Sequence, residues 1–139
     1  MDSAEIVVVS ACLAGVNCNY KGKNSEDASV VQLVKEGRAI MICPEQLGGL
    51  ATPRCSAEIK DGRAITKGGE DVTEAFLAGA SETLNICKKY NCKRAILKSL
   101  SPSCGCGKIY SGNFDGVLVD GDGVSAALLK ANGIEVRVL

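Results

Sequence analysis

Three short runs of this chain are apolar at consecutive positions: Ile6-Val7-Val8-Val9, Ala39-Ile40-Met41-Ile42 and Ala95-Ile96-Leu97. A strand that is apolar on both faces must be covered on both, the situation of a parallel sheet between helical layers. The intervening segments supply the helices. Residues 29–36 carry Val30, Val31, Leu33 and Val34 and then meet Gly37, a stop. Asp71, with Glu74 three residues on, makes a capping-box pattern. It opens a helix to about residue 90, with Val72, Phe76, Ala80, Leu84 and Cys87 close to one face. Residues 124–131 form a last helix, halted by Asn132-Gly133, and 135–138 a closing strand. A small extra strand is expected at 64–66, and a hairpin or irregular arm over 107–119. The pattern predicts an α/β fold: one domain over residues 1–139, a Rossmann-like parallel sheet flanked by helices. Its site is expected at the carboxyl ends of the strands.

A length of 139 residues suits one domain, and 46% hydrophobic residues supply its core. Sixteen basic residues balance sixteen acidic ones. No overall field draws in nucleic acid or an anionic membrane, and neither is expected as a partner. Histidine is absent. That excludes Ser-His-Asp triads, Cys-His dyads and histidine metal ligands. Acid–base work falls to Asp, Glu, Lys, Tyr, Cys or water. Eight cysteines admit a disulfide framework. The polar start Met1-Asp2-Ser3-Ala4-Glu5 lacks the basic region of a signal peptide. The apolar run after it is too short for a signal core or a membrane span. A cytoplasmic protein with reduced thiols is therefore expected, and such thiols more often bind metal or do chemistry.

Three cysteine-bearing segments follow the expected strands. The first strand runs into Ser10-Ala11-Cys12 and on to Cys18-Asn19-Tyr20; the second into Cys43-Pro44-Glu45; the third into Lys98 and Ser101-Pro102-Ser103-Cys104. In open α/β sheets ligands bind beyond these ends, so cysteines distant in sequence are expected to converge there. No C-x-x-C pair exists, and the closest spacing, Cys104 with Cys106, fits zinc knuckles poorly. An iron–sulfur cluster tolerates scattered ligands, and with three cysteines it keeps one iron open as a Lewis acid. Spacing therefore favours a cluster over zinc, with thiol chemistry and inert core cysteines as the remaining readings.

The other thiols have plainer readings. Cys87 falls on a helix stripe and reads as core. Cys92, Cys55 and Cys106 read as bystanders, and Cys18 is balanced between the two roles. Glu45, two residues from Cys43, is placed to act as general acid or base, or to fix its loop. Ser101 is placed to bond a substrate or to cap a turn. Lys98 is a candidate to orient an anion or carbonyl, and Tyr20 and Arg54 are candidate pocket walls. Gly121-Asp122-Gly123, before the last helix, is a weak candidate for a phosphate.

At these residues the chain resembles a known family. The motifs are Ser-Ala-Cys-Leu-Ala-Gly-Val-Asn-Cys at 10–18, Cys-Pro-Glu-Gln-Leu-Gly-Gly-Leu at 43–50 and Thr-Pro-Arg at 52–54. Further ones are Asp-Val-Thr-Glu-Ala-Phe at 71–76, Leu-Lys-Ser-Leu-Ser-Pro-Ser-Cys-Gly at 97–105 and Gly-Asp-Gly-Val-Ser-Ala-Ala-Leu-Leu at 121–129. Together they are similar to the 2-thiouracil desulfidase family across nearly the whole chain. The resemblance implies a [4Fe-4S] cluster held by Cys12, Cys43 and Cys104, with the fourth iron free, and removal of sulfur from thiolated uracil to give uracil and sulfide. It implies Glu45 and Ser101 as the catalytic pair, and Ser101, Lys98 and Tyr20 are expected to contact the substrate. Asn19 and Lys21 depart from the Arg and Asp expected around Tyr20, Cys55 from a proline and Cys106 from a small residue. These departures touch loops around the pocket and bear on substrate preference. The alternatives are a desulfidase for another thiolated base or nucleoside, a sulfur or cluster carrier, and a zinc-stabilised module.

Overall fold

The structure is a computed structural model that describes residues 5–139; the polar stretch at 1–4 lies outside the described residues. The elements are β1 (Val7–Ser10), α1 (Ala28–Lys35), β2 (Ala39–Ile42), α2 (Pro44–Leu47), β3 (Ala57–Lys60), β4 (Arg63–Thr66), α3 (Thr73–Lys89), β5 (Arg94–Leu97), β6 (Lys108–Tyr110), β7 (Leu118–Asp120), α4 (Val124–Ala131) and β8 (Glu135–Val138). A 3₁₀ turn, Ala11–Ala14, follows β1 directly.

Strands β2, β1, β5 and β8 lie side by side in that order, all parallel. Val8 stands opposite both Ile40 and Ala95. Because side chains alternate across a strand, Val7 and Val9 pack on one face with Val30 of α1. Val8 packs on the other with Leu84 of α3 and Leu129 of α4. This two-sided cover is why β1 is apolar from Val7 to Val9.

The chain order reverses beside β1. From β1 it passes through α1 to β2 on one side, then returns to place β5 on the other. Such a switch point opens a crevice between the diverging connections, at the carboxyl ends of the strands.

Two antiparallel hairpins are added to this sheet. The arm expected at 107–119 is the β6–β7 hairpin. The strand expected at 64–66 is β4, and its partner β3 was not anticipated. The signal was nonetheless present. Asp61 and Gly62 both take positive φ, 50° and 75°, which is what a two-residue hairpin turn requires. Glu58 of β3 joins the hairpins by accepting the N–H groups of Gly112 at 2.9 Å and Phe114 at 3.1 Å.

The start of α3 differs from the expected capping box. Asp71 still pairs with Ile65 in an isolated β-bridge, so the helix begins one residue later than expected and Val72 is the cap position. Asp71 instead accepts the Thr73 N–H at 2.9 Å, and its other oxygen pairs with Arg63. None of the helices among the described residues is long and apolar enough to cross a membrane.

Candidate active site

The carboxyl ends of β1, β2 and β5 open onto a cavity of about 430 Å³. Cys12, Cys43, Cys104, Glu45, Ser101, Lys98 and Tyr20 all line it. The arrangement follows from how each loop leaves the sheet.

Cys12 lies in the 3₁₀ turn that continues β1, and its carbonyl accepts the N–H groups of Gly15 and Ser25. Gly15, at φ 92°, ends the turn in a conformation that suits glycine. Cys43 is the cap of α2, where Pro44 starts the helix at no cost because its missing N–H would be unpaired there anyway. The α2 turn is pressed directly onto α3. A Cβ on Gly48 would meet the Ala75 carbonyl oxygen at 1.9 Å, and one on Gly79 the Pro44 oxygen at 1.8 Å.

The Cys104 loop is held at both ends. Ser101 Oγ accepts the N–H of Ser103 at 3.1 Å and of Cys104 at 3.0 Å. The fully buried hydroxyls of Ser103 and Ser125 bond at 3.0 Å. The amides opening α4 donate to this loop as well: Val124 to Pro102 O, Ser125 and Ala126 to Ser103 O. Those amides are the ones a phosphate would need, so the loop occupies the candidate phosphate site at Gly121-Asp122-Gly123. Leu100, at φ 66°, takes a left-handed conformation costly for a residue with a side chain. Such strain concentrates at functional sites.

Four thiols, not three, meet at this edge. Cys18, 1% exposed, also lines the cavity and lies within hydrogen-bonding reach of Cys12 and Cys43. The bond from Cys18 draws the Cys12 thiol below its ordinary value, and the Lys98 charge adds slightly to this. The same bond pushes Cys18 up to about 11. Cys43 is raised by its bond to Cys18 and then by burial. Burial pushes Cys104 up to about 12, opposed in part by a bond from Ser10. Within this hydrogen-bonded pair Cys12 is the thiol drawn down and Cys18 the one pushed up.

Glu45 faces the cavity from the first turn of α2, and Arg54 grips it. The Glu45 Oε2 atom accepts from Arg54 Nε at 2.9 Å and forms an ion pair with its Nη2 at 2.6 Å. Lys98 makes no ion pair among the described residues; its ammonium reaches Ser99 Oγ at 3.4 Å. Tyr20 is 42% exposed at the mouth, with the Lys21 ammonium 5.6 Å from its ring centre.

The remaining thiols stand apart as expected. Cys87 and Cys92 are buried with the α3–α4 core. Cys55 is exposed, and Cys106 lies beside Asp122 and Lys130, off the cavity. Two site residues escaped notice in the sequence. Ser10 accepts the Lys98 N–H at 2.9 Å and bonds Cys104, so a polar residue ending a buried strand was its only signal. Gly79 is the seat of α2, and a glycine inside an otherwise good helix marked it.

The donor set can be tested against a metal centre. Among the described residues no group of three or more cysteines, aspartates or glutamates forms a ready single-ion site. Thiols brought from three separate loops to one cavity, with no C-x-x-C pair among them, fit a polynuclear centre whose separate metal atoms each take one thiolate.

Comparison with known proteins agrees along the whole chain. The sequence profile described as 2-thiouracil desulfurase matches residues 7–138. A Bacillus subtilis (strain 168) protein, named only as uncharacterized protein YbbK, is 45% identical over 141 residues, covering 94% of this chain and 93% of the relative. A solved structure described as a [4Fe-4S]-dependent thiouracil desulfidase, TudS, superposes with a TM-score of 0.92 at 43% identity. That match covers 96% of this chain and 90% of the other.

Proposed function

The chain belongs to the 2-thiouracil desulfurase family, and from that premise we propose that it is a [4Fe-4S]-dependent desulfidase converting 2-thiouracil to uracil and hydrogen sulfide. One observation carries the reading. Cys12, Cys43 and Cys104 come from three separate loops onto one cavity, with the Glu45 carboxylate beside them. The similarity to TudS, described as [4Fe-4S]-dependent, supports the cluster. All eight cysteines are unpaired, which agrees with a cytoplasmic enzyme.

Cys12, Cys43 and Cys104 would hold the cluster, whose open iron would supply a Lewis acid with affinity for soft sulfur. The protein's own groups then account for the proton steps. Glu45 takes a proton from water as the water oxygen adds to the carbon bearing sulfur. The carbon–sulfur bond breaks with its electron pair leaving on sulfur as the carbonyl forms; Glu45 returns its proton to the departing sulfide, and the hydroxyl proton of the tetrahedral carbon follows it there. One water enters and one hydrogen sulfide leaves, so the carbon's oxidation state does not change. Ser101 already accepts two N–H groups, which leaves its hydroxyl proton for donation to the substrate. Lys98 offers positive charge to the ring carbonyl, and Tyr20 offers an aromatic face at the mouth. No histidine is needed.

The decisive experiment is anaerobic reconstitution with iron and sulfide, followed by sulfide-release assays on 2-thiouracil, 4-thiouracil and their nucleosides. A brown protein that releases sulfide fastest from 2-thiouracil is expected. Preference for another member of the panel would move the substrate. A colourless protein with no sulfide release would overturn the reading.

A further inference from the structure

We infer that Arg54 is a positioning residue: it aims one oxygen of Glu45 at the substrate and ties the loops after β1 and β2 to that aim, without touching the substrate itself. The inference deepens the desulfidase reading and rests on it.

A guanidinium has five N–H groups and accepts nothing. Here Nε donates to Glu45 Oε2 at 2.9 Å. One Nη1 hydrogen donates to Ala51 O at 3.2 Å and the other to Thr52 Oγ1 at 3.0 Å. The Nη2 atom donates to Cys18 O at 3.1 Å and forms an ion pair with Glu45 Oε2 at 2.6 Å. Each guanidinium nitrogen thus has a partner within the protein, and the side chain is only 10% exposed. Arg54 lines the cavity, yet its nitrogens are turned to protein acceptors.

Both bonds to Glu45 end on Oε2. Among the described residues no protein donor bonds Oε1, so the carboxylate keeps one oxygen free to take a proton. The same guanidinium fixes Cys18 O, which also accepts from Cys43 Sγ at 3.7 Å. The Arg54 N–H donates to Tyr20 O at 2.8 Å. Gln46, next to Glu45 on α2, bonds Thr52 Oγ1 at 2.7 Å. One side chain thus sets the carboxylate relative to the loops after β1 and β2. Lysine carries the charge but lacks the planar fork, so it can satisfy only part of this set.

The test uses the reconstituted holoenzyme. Arg54→Lys is expected to keep its iron and to lower kcat on the order of 100-fold, the scale for a misplaced catalytic group, with KM nearly unchanged. Uracil affinity by calorimetry should also stay within about threefold, because Arg54 makes no bond to the base. Dilute guanidinium should restore turnover to Arg54→Gly but not to the Arg54→Gly/Glu45→Gln double variant. Unchanged kcat in Arg54→Lys overturns the inference. So does a large loss of uracil affinity, which would make Arg54 a substrate ligand. Loss of iron from both single variants overturns it too, since the role would then be structural. An inactive wild-type holoenzyme sinks the desulfidase reading and this one with it, whereas an active wild type beside a fully active Arg54→Lys sinks this one alone.

Discussion

Two regions of the molecule hold buried cysteines, and they differ in everything but the residue. At the carboxyl edge of the sheet Cys12, Cys18, Cys43 and Cys104 face a cavity and bond one another, Ser10 and backbone carbonyls. Where α3 ends and β5 begins, Cys87 and Cys92 pack in the apolar core, away from the cavity. Burial pushes Cys87 up to about 11, with a small addition from Cys92. At the carboxyl edge the thiols push one another in opposite directions, and Cys12 comes out low. Burial therefore does not distinguish a proposed ligand from a core thiol here. Position relative to the strand ends does, because that is where loops diverge and leave room for a ligand.

The sharpest break between the regions is expected from Cys104→Ala and Cys87→Ala made side by side. Cys104→Ala should lose the cluster and all sulfide release, read by iron content and assay. Retention of a full cluster would remove Cys104 from the ligand set. Glu45→Gln should keep the cluster and lose roughly 10²- to 10⁴-fold in turnover, the usual scale for a general acid–base group. Next comes the support beneath the site. Gly79→Ala would force a methyl into the Pro44 carbonyl, costing about 1–3 kcal/mol in a denaturant titration and lowering turnover as α2 shifts. Cys87→Ala should cost about 1 kcal/mol of stability and leave turnover alone. A fall in turnover would mean the two regions communicate. The smallest effect belongs to Cys55→Ser, expected to change neither stability nor sulfide release. In the cluster-free protein near pH 8, Cys55 should be alkylated well before Cys87 or Cys104. It is exposed, whereas those two are buried and titrate far above that pH.

The elements were largely legible because their signals are local. Helices α1 and α4 and strands β2, β5 and β8 fall within a residue of the expected ranges, since continuous apolar runs and stop residues such as Gly37 and Asn132-Gly133 act within a few positions. The failures were at elements that depend on partners. Strand β3 has a weak pattern of its own and exists because Asp61-Gly62 folds it back on β4. The α3 cap moved because Asp71 was drawn into a bridge with Ile65. Candidate site residues were legible for the same reason as the strands, since each stands just beyond a run that could be read.

By itself, the sequence determined that this chain makes a two-sided parallel sheet, that its thiols gather where the strands end, and which family it resembles. Those properties follow from side-chain pattern and chain connectivity. The tertiary structure alone decided how the site works as a unit. It placed Cys18 among the thiols, seated α2 on Gly79 and turned Ser101 into the clasp of the Cys104 loop. It also gave each guanidinium nitrogen of Arg54 a partner within the protein. Each depends on groups that sequence holds far apart and that only close packing brings within bonding distance: Cys18 is 36 positions from Arg54, yet its carbonyl is 3.1 Å from the guanidinium.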